Sequence, residues 1–364
     1  MLGAPRHDCD AAARAHHQEQ AAAAGPSSPR GLVLACAGLL HRGDVDGARR
    51  AAAEVLSTAD PRGDAADRLA HHFARALARR ADGDKAGGEG GSAPAGGEAA
   101  SSSAPGAPSA TAYLAYNQIA PFLRFAHLTA NQAILDAAAS GGARRLHIVD
   151  LDAAHGVQWP PLLQAIADRA DPDLGPPELA ADPATELELH PDETLVVNCV
   201  LFLHKLGSDG EIAAFLNWVK SMNPSVVTLA EREASIGSDC PEDLHRRVAA
   251  AMDYYSAVFD ALEATAPPGS ADRLAVEQEV LGQEIDAVVA PGHAGRRARG
   301  FESWATAARA AGLSPRPLSA FAVSQARLLL RLHYPSEGYV VEEARGACFL
   351  GWQTRPLMSV SSWQ

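Results

Sequence analysis

Residues 145–166 read RLHIVDLDAAHGVQWPPLLQAI, and this stretch decides the fold. Leu146–Leu151 is a short apolar run rich in β-branched residues, preceded by Gly141-Gly142, which is the pattern of a buried strand. Pro160-Pro161 falls where the first turn of a helix tolerates missing N–H donors, and Leu162, Leu163 and Ile166 form that helix's apolar face. A strand, a polar loop over Asp152–Gln158 and a helix make the opening βα unit of a doubly wound α/β sheet. Such sheets bind ligands just outside the carboxyl ends of their strands. The loop holds one glycine, Gly156, where nucleotide- and methyl-donor-binding loops use two or three for close backbone approach. The strand is that of an enzyme; the loop is not.

Further along, Thr194–Cys199 and Val226–Glu231 read as two more strands. Between them Ser208-x-x-Glu211 has the form of a capping box, and Ile212, Phe215, Leu216, Val219 and Met222 give an amphipathic helix. A long helix follows with Leu244, Val248, Met252, Tyr255, Phe259 and Leu262 on one face. Ser270 caps another, predicted to run through Leu274, Leu281, Ile285 and Val288. Phe301–Ala311 and Ala320–Leu332 are helical by pattern. Tyr339–Glu343, Cys348–Trp352 and Leu357–Trp363 are short strands joined by tight turns, suited to an antiparallel addition at the edge of a mostly parallel sheet. One stretch is out of keeping. Asp171–Glu186 is proline-rich and far shorter than the roughly 30 residues of a βαβ unit, so the sheet is expected to be incomplete after Asp171.

The amino-terminal part is of another kind. Residues 1–30 are biased to Ala, His and Gln and are expected to form a disordered leader. Leu32, Cys36, Leu39 and Leu40 recur at helical spacing up to Gly43-Asp44, and Val45, Ala48, Ala52, Val55 and Leu56 continue in a second helix. Asp60-Pro61 marks a third start, with Leu69, Phe73 and Leu77 on one face. Residues 31–81 thus form a leucine-rich helical cap, either folded on its own core or offering an apolar surface to another protein. Residues 82–110, rich in Gly, Ala, Ser and Pro, are predicted to be a flexible linker. Residues 111–364 hold the remaining cap helices, with a break at Pro121, and the core.

Composition narrows the function. The chain of 364 residues carries a formal charge of −13, and its basic clusters, Arg144-Arg145 and Arg296-Arg297-Arg299, are too short for the basic stripe that DNA contact needs. Five scattered cysteines without a C-x-x-C pair fit reduced thiols of the cytosol or nucleus. Neither a zinc pattern, an apolar leader nor a membrane-length segment is present, so no metal or membrane partner is expected.

Five motifs in order resemble those of the GRAS family of plant transcriptional regulators. Leu146-His147-Ile148-Val149-Asp150 stands where that family has Val-His-Ile-Ile-Asp. Leu32–Arg80 and Leu187–Val219 resemble its two leucine-rich regions. Pro224, the Tyr255–Phe259 run, and Arg273 with Glu277 resemble its Pro, Phe-Tyr and Arg-Glu elements. Gly351-Trp352, Arg355-Pro356-Leu357 and Ser361-Ser362-Trp363 resemble its C-terminal Ser-Ala-Trp block, with Ser362 in place of Ala. NQIAPFLRFAHLTANQAIL and QARLLLRLHYPSEGYVVEEARGACFLGWQTRP point to the lateral suppressor and monoculm-type subgroup. The resemblance implies a Rossmann-like, methyltransferase-like fold with an N-terminal helical cap, and a role in axillary meristem formation and branching. It further implies a nuclear location and contacts with other transcription factors and GRAS proteins, as homo- or heterodimers, with DNA contact indirect or weak. Relatives carry a strand, a helix and a strand where this chain has Pro176–Ala184.

Three functions are weighed. A methyltransferase-like activity would use Asp150, Asp152, His155 and Glu231 at the crevice, His/Asp pairs being suited to acid–base work. Missing loop glycines, the missing ribose-binding acid and the lack of a nucleophile oppose it, so neither catalytic residues nor a cofactor are expected. Direct DNA binding is opposed by charge. Protein binding is favoured, with candidate contact residues Leu32, Leu39 and Leu40 in the cap, and His147, Asp150, Asp152, His155, Gln158 and Trp159 around the first strand and loop. Trp352 and Trp363 in the C-terminal strands complete the set.

Overall fold

The structure, a computed structural model, describes residues 25, 28–88, 108–141, 145–153, 155–169, 178–179, 193–236, 243–290, 299–334 and 337–364. The chain divides into two compact units, Met1–Pro108 with Cys240–Glu263 and Glu277–His293, and Ser109–Asp239 with Ala264–Val276 and Ala294–Gln364. The disordered leader predicted over 1–30 falls almost wholly outside the described residues, as do most of the expected linker and of Asp171–Glu186.

The first unit is helical. Helix α1 (Pro29–His41) starts with proline at its first position, and the Ser28 hydroxyl accepts from Gly31 N at 3.1 Å. Asp44 caps α2 (Val45–Thr58) in the same way, accepting from Gly47 N at 2.8 Å. Helix α3 (Ala65–Gly88) begins later than the Asp60-Pro61 signal predicts. Asp60 instead closes a turn, accepting from Arg62 N and Gly63 N, and Asp64 takes over the cap by accepting from Asp67 N at 2.9 Å. Its far end runs through Gly88, into the stretch expected as linker. Val33, Cys36, Leu40, Val55, Leu69, Phe73 and Leu77 are buried, as are Val248, Met252, Tyr255 and Phe259 of the later helix α8 (Leu244–Thr265). Arg68, 2% exposed, donates through Nε to both carboxylate oxygens of Glu277, 1% exposed, at 3.1 Å.

The second unit is built on the sheet. Helices α4 (Ala110–Ile119) and α5 (Phe122–Gly141) part at Pro121, and β1 (Arg145–Asp150) leads into α6 (Trp159–Asp168). Strand β2 (Glu178–Leu179) follows, then β3 (Glu193–Val200), the single 3₁₀ turn Leu203–Lys205, α7 (Asp209–Ser221) and β4 (Val226–Arg232). The capping box on α7 is formed: Ser208 accepts from Glu211 N, and Glu211 accepts from Ser208 N. The chain then passes through α8 (Leu244–Thr265), nearly all of it part of the first unit, and Ser270 caps a short α9 (Ala271–Ala275). The helix predicted to continue to Val288 is interrupted by a π turn, Val276–Leu281, before α10 (Gly282–Val289). The turn contains the buried Glu277, and a side chain at Gly282 would sit 3.1 Å from the Glu277 carbonyl. Helix α11 (Phe301–Ala310), β5 (Pro315–Arg316), α12 (Ala320–His333) and strands β6 (Tyr339–Ala344), β7 (Ala347–Trp352) and β8 (Arg355–Trp363) complete the chain.

Strand order is β2-β1-β3-β4-β8-β7-β6, with β5 against β8. The first four strands run parallel, and β8, β7 and β6 are added antiparallel. At the β1 edge β2 pairs with Arg145 and Leu146, and the incompleteness expected after Asp171 lies outside the described residues. Alternation along the strands feeds two cores, as a doubly wound sheet requires. Leu146, Val196 and Val226 pack with Ile134, Leu162 and Ile166 of α5 and α6. Val197, Cys199, Val227 and Leu229 pack on the other face with Leu216, Trp304 and Trp363. The β6–β7 hairpin turns at Arg345-Gly346, both with positive φ (56° and 81°), the geometry of a type I′ turn. Gly338 lies against Trp352, and a Cβ there would fall 2.3 Å from the indole ring.

Candidate functional site

Strands β1, β3 and β4 place one polar side chain each in a single row, at the end of β1 and toward the start of β4: Asp150 pairs with Asn198, and Asn198 with Thr228. Sharing a register position puts all three on the α5/α6 face of the sheet. Asn198 is fully buried. Its Nδ2 donates to Asp150 Oδ1 and to Gln158 Oε1, each at 3.0 Å, and its Oδ1 accepts from Thr228 Oγ1 at 2.7 Å. Gln158, immediately before α6, donates back to Asn198 Oδ1 at 3.3 Å and to Asn131 Oδ1 at 3.0 Å. Asn131, from α5, donates to the Gln158 carbonyl at 3.1 Å. Two helices and three strands are thus joined by amides that satisfy one another. Burial raises the Asp150 carboxyl pKa, against the lowering effect of the Asn198 hydrogen bond.

The other crevice groups are engaged separately. Glu231, at the end of β4 and 3% exposed, accepts from Leu203 N at 2.6 Å and meets His204 Nδ1 at 3.0 Å, so it holds the turn after β3. Glu233 accepts from Phe301 N at the start of α11 and from Ser359 Oγ, and burial raises its pKa. Asp152 pairs with Lys205. His155 is exposed and lies on the Tyr113 ring, centroids 4.4 Å apart. Asp150, Asp152, His155 and Glu231 therefore reach the crevice, yet each has its own partner and no acid–base couple forms among them.

The expected contact residues separate in the same way. His147 meets Glu193 Oε2 at 3.1 Å near the amino end of β1, away from the crevice. Leu40, Gln158, Trp352 and Trp363 are buried by the chain's own packing. Trp363 Nε1 donates to Ser361 Oγ at 2.9 Å, with Arg309 over its ring, and Trp352 stacks edge-on against Tyr339 at 4.8 Å. Leu32, Leu39, Asp150, Asp152 and Trp159 are half-buried. Asn131, Asn198 and Thr228 were missed by the sequence reading. An asparagine inside the apolar run Thr194–Cys199 is the signal for it, since a polar side chain in a buried strand must find partners. A groove of about 520 Å³ opens elsewhere, between α7 and α11, over Ile212, Ala213, Ala307 and Ala310. Among the described residues no helix is long and apolar enough to cross a membrane.

The family model of the GRAS domain matches residues 29–180 and 177–364, meeting at the short stretch after Asp171. Protein MONOCULM 1 of Oryza sativa subsp. japonica is 59% identical over an aligned length of 400, covering 93% of this chain and 88% of that protein. Scarecrow-like protein 18 of Arabidopsis thaliana is 43% identical, over 69% of this chain and 67% of its own length. The crystal structure of SCL7 in Oryza sativa superposes with a TM-score of 0.68 at 33% identity, covering 86% of this chain and 94% of that one. Motif order, a mostly parallel sheet closed by antiparallel strands, and these matches agree: the chain belongs to the GRAS family of plant transcriptional regulators, in its lateral suppressor and monoculm-type branch.

Proposed function

We propose that this protein regulates transcription in the nucleus by binding other proteins, that it catalyses no reaction, and that it promotes axillary meristem formation and shoot branching. The observation that carries the absence of catalysis is the closed amide cluster of Asn198, Gln158, Asn131 and Thr228. It lies on the α5/α6 face of the sheet beside the end of β1, next to where an enzyme of this fold holds its cofactor, and it uses those polar groups to join strands and helices. The similarity to MONOCULM 1 supports the branching role. Contacts run through the half-buried Leu32 and Leu39 on the cap and through the half-buried Asp152 and Trp159 and the exposed His155 on the loop, and the partners are other transcription factors and GRAS proteins, with DNA reached through them.

Rescue of a low-branching plant line lacking its own monoculm-type gene tests the reading. Wild-type chain fused to a fluorescent protein should enter nuclei and restore branches, and a crevice variant with Glu231→Gln and His204→Gln should do so equally if it stays folded. Loss of rescue in that folded variant would return the crevice to a chemical role.

A further inference from the structure

Helix α12 presents two unlike faces. Ala322, Val323, Ala326 and Leu330 are buried, and the helix packs on α5 and β6. On the opposite side Phe321, Leu328 and Leu332 are 53%, 49% and 65% exposed. Their spacing of seven and four residues places them within about 40° of one another around the axis, in a stripe about 16 Å long. Among the described residues the remaining large exposed apolar side chains, Leu114, Leu163 and Trp218, stand singly on three other helices, as ordinary surface residues do. Three on one helical face form a surface.

Charge says what covers it. Arg327 and Arg331, one turn apart and exposed, run along one flank of the stripe, and α12 contains no Asp or Glu. Neither arginine pairs with a carboxylate among the described residues, whereas Arg30, Arg49, Arg68, Arg79 and Arg345 all do. The chain as a whole has 44 acidic and 31 basic residues, so this flank is cationic against the general trend. A second copy fits poorly. Antiparallel pairing of the stripe with itself sets the arginines of one copy against those of the other.

We infer that the outer face of α12 docks an amphipathic helix of a partner protein, about three turns long, whose apolar side covers Phe321, Leu328 and Leu332 and whose acidic flank meets Arg327 and Arg331. This deepens the reading of the protein as one that works by binding proteins, while its test is separate from plant rescue. Full-length chain is titrated into a fluorescein-labelled helical peptide with Leu at positions i, i+4, i+7 and i+11 and Glu along one flank. A second peptide carries Lys in place of each Glu.

The acidic peptide should bind at least ten-fold more tightly than the basic one. Leu328→Asp should lower its affinity about ten-fold with an unchanged melting temperature, which the exposure of Leu328 allows. Arg327→Glu with Arg331→Glu should reverse the preference between the peptides. Equal binding of both peptides, or binding untouched by Leu328→Asp, overturns the inference. So does a wild-type dimer in sedimentation that Leu328→Asp dissociates, which would assign the face to a second copy. Peptide binding that appears only when residues 1–24 are removed would assign it to this chain's own amino-terminal segment.

Discussion

Gln158 and Asn198 face each other as a reciprocal amide pair, each side chain donating to the carbonyl oxygen of the other at 3.0 and 3.3 Å. One precedes α6 and the other lies two residues before the end of the interior strand β3, so the pair fixes where the first crossover helix starts relative to the sheet. Asn198→Ala removes a partner from Gln158, Thr228 and Asp150 at once in a fully buried place. The expected cost is about 2–4 kcal/mol, read as a lower urea midpoint. The double change of Gln158 and Asn198 to leucine should cost less than the sum of the single changes, since it leaves fewer orphaned polar groups.

The pair of Arg68 and Glu277 carries a comparable prediction for the helical unit. Both are almost fully buried, and removing Glu277 leaves a guanidinium without its bidentate acceptor. Glu277→Ala should destabilise by about 3–5 kcal/mol. A joint Arg68→Met, Glu277→Leu chain should recover much of that loss, and the urea midpoints of the three chains decide the matter.

Adjacent leucines on α1 should behave differently. Leu40 is 7% exposed, so Leu40→Asp buries a charge and should abolish the folding transition of the helical unit. Leu39 keeps surface, and Leu39→Asp should leave the melting temperature within a few degrees while lowering co-precipitation of partner GRAS proteins. If Leu39→Asp unfolds the chain as well, the cap is core on both sides and its leucines bind nothing.

Stability should fall in mild acid for a definable reason. Burial lowers the His72 pKa from 6.5 to about 4, with the neighbouring cations of His71 and Arg75 acting in the same direction. Burial lowers His127 to about 4 as well. The unfolded chain therefore binds more protons than the folded one between about 6.5 and 4. The stabilisation is complete above that window and is lost as pH falls through it. The shift corresponds to as much as about 3 kcal/mol per histidine before solvent screening reduces it. Thermal melts from pH 7 to 4.5 should fall, and the His72→Gln chain should show a shallower slope.

The parallel part of the sheet was legible because Thr194–Cys199 and Val226–Glu231 are buried on both faces and Leu146–Leu151 is half-buried, so all three read as apolar runs. Turn chemistry made the C-terminal hairpins legible too. Misread boundaries had local causes that compete with periodicity: the Asp60 turn delays α3, and the π turn around Glu277 breaks a helix whose apolar spacing is otherwise regular. The crevice was legible as a place but not as an arrangement. Asp150, Asp152, His155 and Glu231 do arrive near the strand ends, but their partners (Asn198, Lys205, Tyr113 and Leu203) lie on other elements, and no spacing along the chain connects them. Trp352 and Trp363 illustrate the same limit, since large aromatic residues in strands read alike whether they face a partner or the interior.

The brevity of β2 has one more consequence. Every β3 residue from Thr194 to Val200 is buried, whereas Ile148 and Val149 of β1 keep part of their surface. Among the described residues, β1 from His147 to Asp150 has a strand on one side only. Flanked by β1 and β4, β3 should hold its amide protons against solvent exchange longer than β1 does. The strand paired on both sides is thus the slow-exchanging centre of the sheet, and the strand that opens it is its faster-exchanging border.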